Sequence, residues 1–238
     1  MSHYHTPNLP QTDAPVDIYR RIHKALRYCM SDTLARVSRL DIGDRGEVIA
    51  VLAQVREMAV LCATHVAHED TFVHPAMEAR FPGTAKATAA EHAHHKYACR
   101  KIIALGDAVY NAREEDRASL VSQLYHYISL FVAESLVHMN AEETDNNTLL
   151  WATHTDAELN AIQQAIVDSM TCDEKAVTMR WMLPALNPTE RVELMEEVLK
   201  DVPSEFYNEM LAGMQPYLAA ADFRKLTIAL HGEHKLAA

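Results

Sequence analysis

Glycine is scarce in this chain, with six in 238 residues. Strands, bulges and hairpin turns use glycine freely, so the deficit favours helices. No apolar run approaches the ~20 residues of a membrane span. Positive charge is also in deficit, and the net charge of −11 argues against nucleic acid or an anionic membrane as partner. None of the four cysteines, Cys29, Cys62, Cys99 and Cys172, belongs to a C-x-x-C motif. Each lies in a helical, mostly apolar stretch, the pattern of reduced, buried thiols in a cytosol. Met1 to Pro15 is polar, carries three prolines and lacks the apolar stretch of a secretory leader. It reads as a flexible arm, in which His3, Tyr4 and His5 are tail residues. A cytoplasmic protein is therefore expected.

What is abundant agrees with helices. Alanine, leucine, methionine and glutamate are frequent, and hydrophobic residues make up 49%. Four long segments have helical periodicity: about 16–37, 47–80, 84–111 and 117–151. Pro75 should kink or shorten the second. Short connections make neighbouring helices antiparallel, so the expected fold is all-α, an up-down-up-down four-helix bundle over 16–152. A smaller all-helical unit is expected over 155–238. Thr155-Asp-Ala-Glu158 starts it as a capping box. Asn187-Pro-Thr-Glu190 starts another helix, Pro203 opens a further segment and Pro216 interrupts the last. That unit has only His231 and His234, and no metal site is expected in it. It is a surface through which a protein partner or a second copy would dock.

The chain has fourteen histidines, and helix phase sorts them. His65 and Glu69 are four residues apart, as are His138 and Glu142, so each pair shares a helix face. His68 is about 60° from His65 and marginal, and His74 is nearly opposite unless Pro75 bends the helix. On the third segment His92 lies on the inward stripe with Cys99, Ile103 and Gly106. His95 is about 60° away and is an additional ligand or one that orients another, while His94 faces out. His126 and Glu143 point away from the His138 face. Glu134 continues the ladder of His138 and Glu142; it either pairs with a basic residue at the boundary or orients His138. His23 is the one histidine on the first segment, within the stripe of Tyr19, Leu26 and Met30.

Each segment therefore supplies one inward histidine: His23, His65, His92 and His138. Two carboxylates, Glu69 and Glu142, are in phase with them. Two buried carboxylates without compensation cost several kcal/mol each. A pair of cations offsets that cost, and four imidazoles with two carboxylates suit borderline or hard ions, iron foremost. Phase places Met30, Met58, Leu61 and Phe131 beside them as an apolar wall for a small ligand. No cysteine has ligand spacing, and H-E-x-x-H is absent.

The stretches Ile18-Tyr-Arg-Arg-Ile-His23-Lys-Ala-Leu-Arg27 and His65-Val-Ala-His-Glu69-Asp-Thr-Phe-Val-His-Pro75 carry a resemblance. So do Ala90-Glu-His92 and His138-Met-Asn-Ala-Glu142-Glu143. In this order, over about 16–150, they resemble the hemerythrin-like family of histidine- and glutamate-rich cation-binding domains. The C-terminal region, with Trp181-Met-Leu-Pro-Ala-Leu-Asn-Pro-Thr-Glu190-Arg191, resembles an extension of some bacterial members. The resemblance implies two iron ions, bridged by an oxo or hydroxo group and by Glu69 and Glu142. His23, His65, His92 and His138 would be terminal ligands. It departs from the oxygen carriers of that family, which place two histidines four residues apart on the third helix; here position 96 is Lys and position 88 is Thr. The expected function is binding of O₂, peroxide or NO for sensing, delivery or stress response. The alternatives are a di-iron peroxidase, oxidase or NO-handling enzyme, and an iron-responsive regulatory protein.

Overall fold

A computed structural model describes residues 15–200 and 202–231, with the backbone alone at Ser204 and His231. The arm expected over 1–15 falls outside the described residues except for Pro15, as does His234. Every regular element among the described residues is helical. The order is α1 (Arg20–Ser38), α2 (Arg45–His68), α3 (His74–Arg80), α4 (Lys86–Asn111), α5 (Glu114–Ala141) and α6 (Asn147–Thr153). Beyond them come α7 (Asp156–Ser169), α8 (Cys172–Ala185), α9 (Pro188–Lys200), α10 (Ser204–Met214) and α11 (Ala220–His231).

Local chemistry sets the starts. Asp17 accepts from the amides of Tyr19 and Arg20 and so opens α1. Asp44 does the same for α2, accepting from Gly46 and Glu47. Thr155 with Glu158 forms the expected capping box, and Thr171 with Glu174 forms a second. Asn187 and Glu190 exchange the same reciprocal pair of bonds at the head of α9. Pro216 stands in a 3₁₀ turn, Gln215–Tyr217, between α10 and α11.

The four long helices form a ring in which α1 touches α2 and α5, and α4 touches the same two. Neighbours run antiparallel. The start of α1, the end of α2, the first third of α4 and the end of α5 meet around His23, His65, His92 and His138. Towards the opposite end Arg36 pairs with Gln54, and Arg56 reaches Asp107 at 2.6 Å. Between lies a core of residues such as Leu26, Met30, Val55, Met58, Ile102, Leu124, Ile128 and Phe131. Trp181 of α8 joins this same cluster and donates to Glu57, so the C-terminal helices pack onto the bundle through its own core. A second cluster, around Leu183, Met195, Leu211 and Leu226, holds those helices together. A third, with Tyr19, Val73, Met77, Leu150 and Leu159, covers the histidine-bearing end.

The second segment is broken just before Pro75: the chain passes from α2 through one wide π-turn, Glu69–Val73, directly into α3, in whose first turn Pro75 stands. An identical turn, Glu142–Asn146, joins α5 to α6. Cys172 is exposed at the head of α8, whereas Cys29, Cys62 and Cys99 are buried as expected. The helical stretch Glu114–Thr153 is, at 40 residues, long and apolar enough by composition to cross a membrane. Leu124, Ile128, Phe131 and Val132 of that stretch are buried within the bundle, while Leu130 and Val137 are exposed.

Candidate metal centre

His23 and His92 are wholly buried, and Glu142, Glu69 and His138 are 1%, 3% and 6% exposed. The His65 side chain is 9% exposed. They form two groups of four that share both carboxylates: His23, His65, Glu69 and Glu142, and Glu69, His92, His138 and Glu142. Within each group one ligand atom per residue lies within 4.8 Å of every other.

Each carboxylate divides its oxygens between the groups. Glu69 Oε1 faces His65 Nε2 at 3.3 Å and His23 Nε2 at 3.8 Å. Its Oε2 faces His92 Nε2 at 3.4 Å. Glu142 Oε1 faces Nε2 of His92 and of His138, both at 3.2 Å, and its Oε2 faces His23 Nε2 at 3.4 Å. Five of these atoms are buried with no hydrogen bond: Nε2 of His23 and His65, both oxygens of Glu69, and Oε2 of Glu142. Orphaned polar atoms of this kind are rare, because each forfeits its hydration. Here they converge on two points, and each point is lined by two imidazole nitrogens and two carboxylate oxygens. These buried groups could hold metal ions.

Without cations, protons carry the positive charge. Burial opposes protonation of His23, but the hydrogen bond to Glu143 and the nearby carboxylates of Glu69 and Glu142 outweigh it and lift its pKa to about 9. Burial and the nearby Glu142 push Glu69 up to about 7. Burial would raise Glu142 too, but bonds from His138 and His92 hold it far below the usual carboxylate range. His65 moves the opposite way from His23, pushed well down by burial.

The two π-turns set the phase. Each begins at one of the central glutamates, and the amide of His74 donates to Glu69 O five residues back. A π-turn inserts about one residue into the helical count and rotates the downstream helix by about 100°. That brings His74, nearly opposite His65 in a regular helix, onto the site, where it stacks on His92 at 4.7 Å. It also brings Glu143 inward. Expected to point away, Glu143 accepts from Arg27 and faces His23 Nδ1 at 3.0 Å.

No family model, curated protein or solved structure matches this chain.

His95 is buried at the edge of the centre, its ring 4.6 Å from that of His138 and 5.9 Å from Phe131; it joins neither group of four. Burial pushes its pKa down to about 4. His68 lies beside the Phe72 ring and also joins neither group. Glu134 is at the surface, paired with His94 at 3.2 Å, and does not reach His138. Glu91 does so instead, at 2.6 Å from Nδ1. Met30, Met58 and Phe131 pack in the bundle core. Leu61 lines a cleft of about 1480 Å³ between the bundle and α7–α10, and the same cleft reaches His65, His68 and Glu69.

Glu91, Asp70, Glu143 and His74 are the residues that helix phase missed. A signal was present for two of them: Glu69-Asp70-Thr71 and Glu142-Glu143-Thr144 repeat the same order four residues after a histidine.

Proposed function

We propose that this protein holds two iron ions in a non-haem centre of hemerythrin type and binds O₂ or a related small ligand there. One observation supports it most: five buried, unbonded nitrogen and oxygen atoms converge on two points that share both carboxylates. In this reading His23 and His65 serve one ion, His92 and His138 the other, and Glu69 and Glu142 bridge them. Imidazole with carboxylate suits iron better than softer metals. Iron bound there would supply the redox chemistry that diatomic ligands need. The apolar cluster of Tyr19, Val73, Met77 and Leu150 covers one side and excludes water.

The test is iron-loading followed by exposure of the reduced protein to O₂. About two irons per chain and new ligand-to-iron absorption bands are expected. One tightly held zinc, or a featureless spectrum, would sink the reading. Glu69→Ala or Glu142→Ala should abolish loading, and Glu134→Ala should leave it intact.

A second reading, a di-iron oxidase or peroxidase, draws support from the cleft. It reaches His65 and Glu69 and has room for an organic molecule. Steady consumption of a reductant with O₂ or peroxide would decide for it.

A further inference from the structure

Imidazole can bind a metal through Nε2 only if its proton sits on Nδ1, so a buried ligand histidine needs an acceptor behind it. His23 and His92 stand on α1 and α4, the helices that contribute no carboxylate to the two groups of four. Behind His23 Nδ1 is Glu143 Oε1 at 3.0 Å. Behind His92 Nδ1 is Asp70 Oδ1 at 2.7 Å. Each acceptor directly follows one of the central glutamates in the chain, within the π-turn that the glutamate begins.

Each acceptor is in turn fixed by a cation one helical turn beyond the histidine it serves. Arg27 donates to both oxygens of Glu143, at 2.5 and 3.0 Å. Lys96 donates to Asp70 Oδ2 at 2.5 Å. The hydroxyls of Thr71 and Thr144 donate to carbonyls four residues back in each turn, at 2.7 and 2.8 Å. So α1 with α2 repeats the chemistry of α4 with α5. His-x-x-x-Arg/Lys on one helix faces Glu-acid-Thr at the end of another: α1 against α5, and α4 against α2. Glu91, the acceptor behind His138, breaks this pattern, because its side chain is 56% exposed and water competes for it.

We infer that Glu143 and Asp70 are positioning residues, each assigned to one metal position: Glu143 to the His23/His65 position, Asp70 to the His92/His138 position. The inference rests on the two-metal reading above. Asp70 has a further load, since His74 Nδ1 lies 3.1 Å from the same oxygen, so His74 depends on Asp70 and not on Glu143.

Two measurements test it. In metal-free protein at a pH above the His23 value of about 9, where these rings are neutral, ring ¹⁵N spectra should show His23 and His92 with their single proton on Nδ1. Glu143→Ala should disturb His23 alone, and Asp70→Ala should disturb His92 and His74 alone. Asp70→Asn and Glu143→Gln, which keep volume and an acceptor oxygen, should retain the wild-type tautomer; they also serve if the alanine variants do not fold. In iron titrations each alanine variant should weaken one of the two equivalents by roughly 10–100-fold and leave the other, with both weakened in the double variant. Unchanged tautomers, or single variants that weaken both equivalents alike, would overturn the inference. If wild-type protein takes up no metal, the two-metal reading fails while the tautomer spectra still judge the positioning.

Discussion

Glu69 and His23 hold protons that a cation must displace. Both have pKa values raised by the fold, to about 7 and about 9. A group raised in this way favours the folded state below its unfolded pKa and loses that advantage as pH climbs through the folded value. The metal-free protein should therefore lose thermal stability between about pH 6.5 and pH 9, from His23 across the window and from Glu69 in its lower part. Asp70 and Glu143, whose pKa values are lowered by their bonds to Lys96 and His92 and to His23 and Arg27, act in the acidic range outside that window. Metal uptake releases the same protons, so apparent affinity should rise with pH. Glu69, His92 and His138 add to this release at lower pH and His23 continues it to about pH 9, so the slope of log affinity against pH should flatten as pH rises. Melting curves with and without chelator check the first statement, and titrations across pH check the second. A flat melting temperature from pH 6.5 to pH 9 would show that His23 is not protonated in the fold.

At the scale of elements, the helices were legible and the joints were not. Apolar periodicity located the starts of α1, α2, α4 and α5 within a few residues, because that signal is local, while the second and fourth expected segments run on through the π-turns to take in α3 and α6. The shared faces of His65 with Glu69 and His138 with Glu142 were legible for the same reason. A π-turn has no comparable signature: neither Glu69–Val73 nor Glu142–Asn146 contains glycine or proline. Counting at ~100° per residue therefore sent Glu143 and His74 the wrong way once the chain entered the turn. Glu91 escaped for another reason, since what aims it at His138 is the approach of α5, a tertiary fact. Gly106 offers a test of how α4 meets α2. It is buried mid-helix, and an added Cβ would come no closer than 3.8 Å to Leu52 and 3.9 Å to Val55. Gly106→Ala should therefore stabilise the protein by about 0.5–1 kcal/mol through helix propensity, seen as a higher Tm. A drop would mean that the two helices lie closer than this.

For the whole molecule, the question is what ties the C-terminal helices to the bundle. Charged pairs are the visible link: Lys24 donates to both oxygens of Glu190, and Arg21 pairs with Glu197 and Glu193. Arg21 is partly exposed and Glu193 and Glu197 about half so; such pairs contribute about 0–1 kcal/mol each, less in salt. Trp181 carries more. It is 8% exposed, sits in the bundle core and donates to Glu57 at 2.6 Å. Trp181→Ala should cost about 3–5 kcal/mol and open α8 to limited proteolysis, whereas raising the salt concentration should do little. The metal count should be unchanged, because the six proposed ligands stand on α1, α2, α4, α5 and the two π-turns. Loss of metal in that variant would mean that the C-terminal helices help to hold the centre shut.

The shared carboxylates have a consequence for time as well as for structure. The proposed ligands come from positions 23 to 142, so no short segment can carry an ion away by itself. Release requires the ends of α1, α2, α4 and α5 to part together, and the speed of chelation then reports how often that end of the bundle breathes. The wide turns at Glu69 and Glu142 are where such opening would start. Iron, once in, would be a slow-exchanging fixture, and its residence time a clock for the motion of the fold.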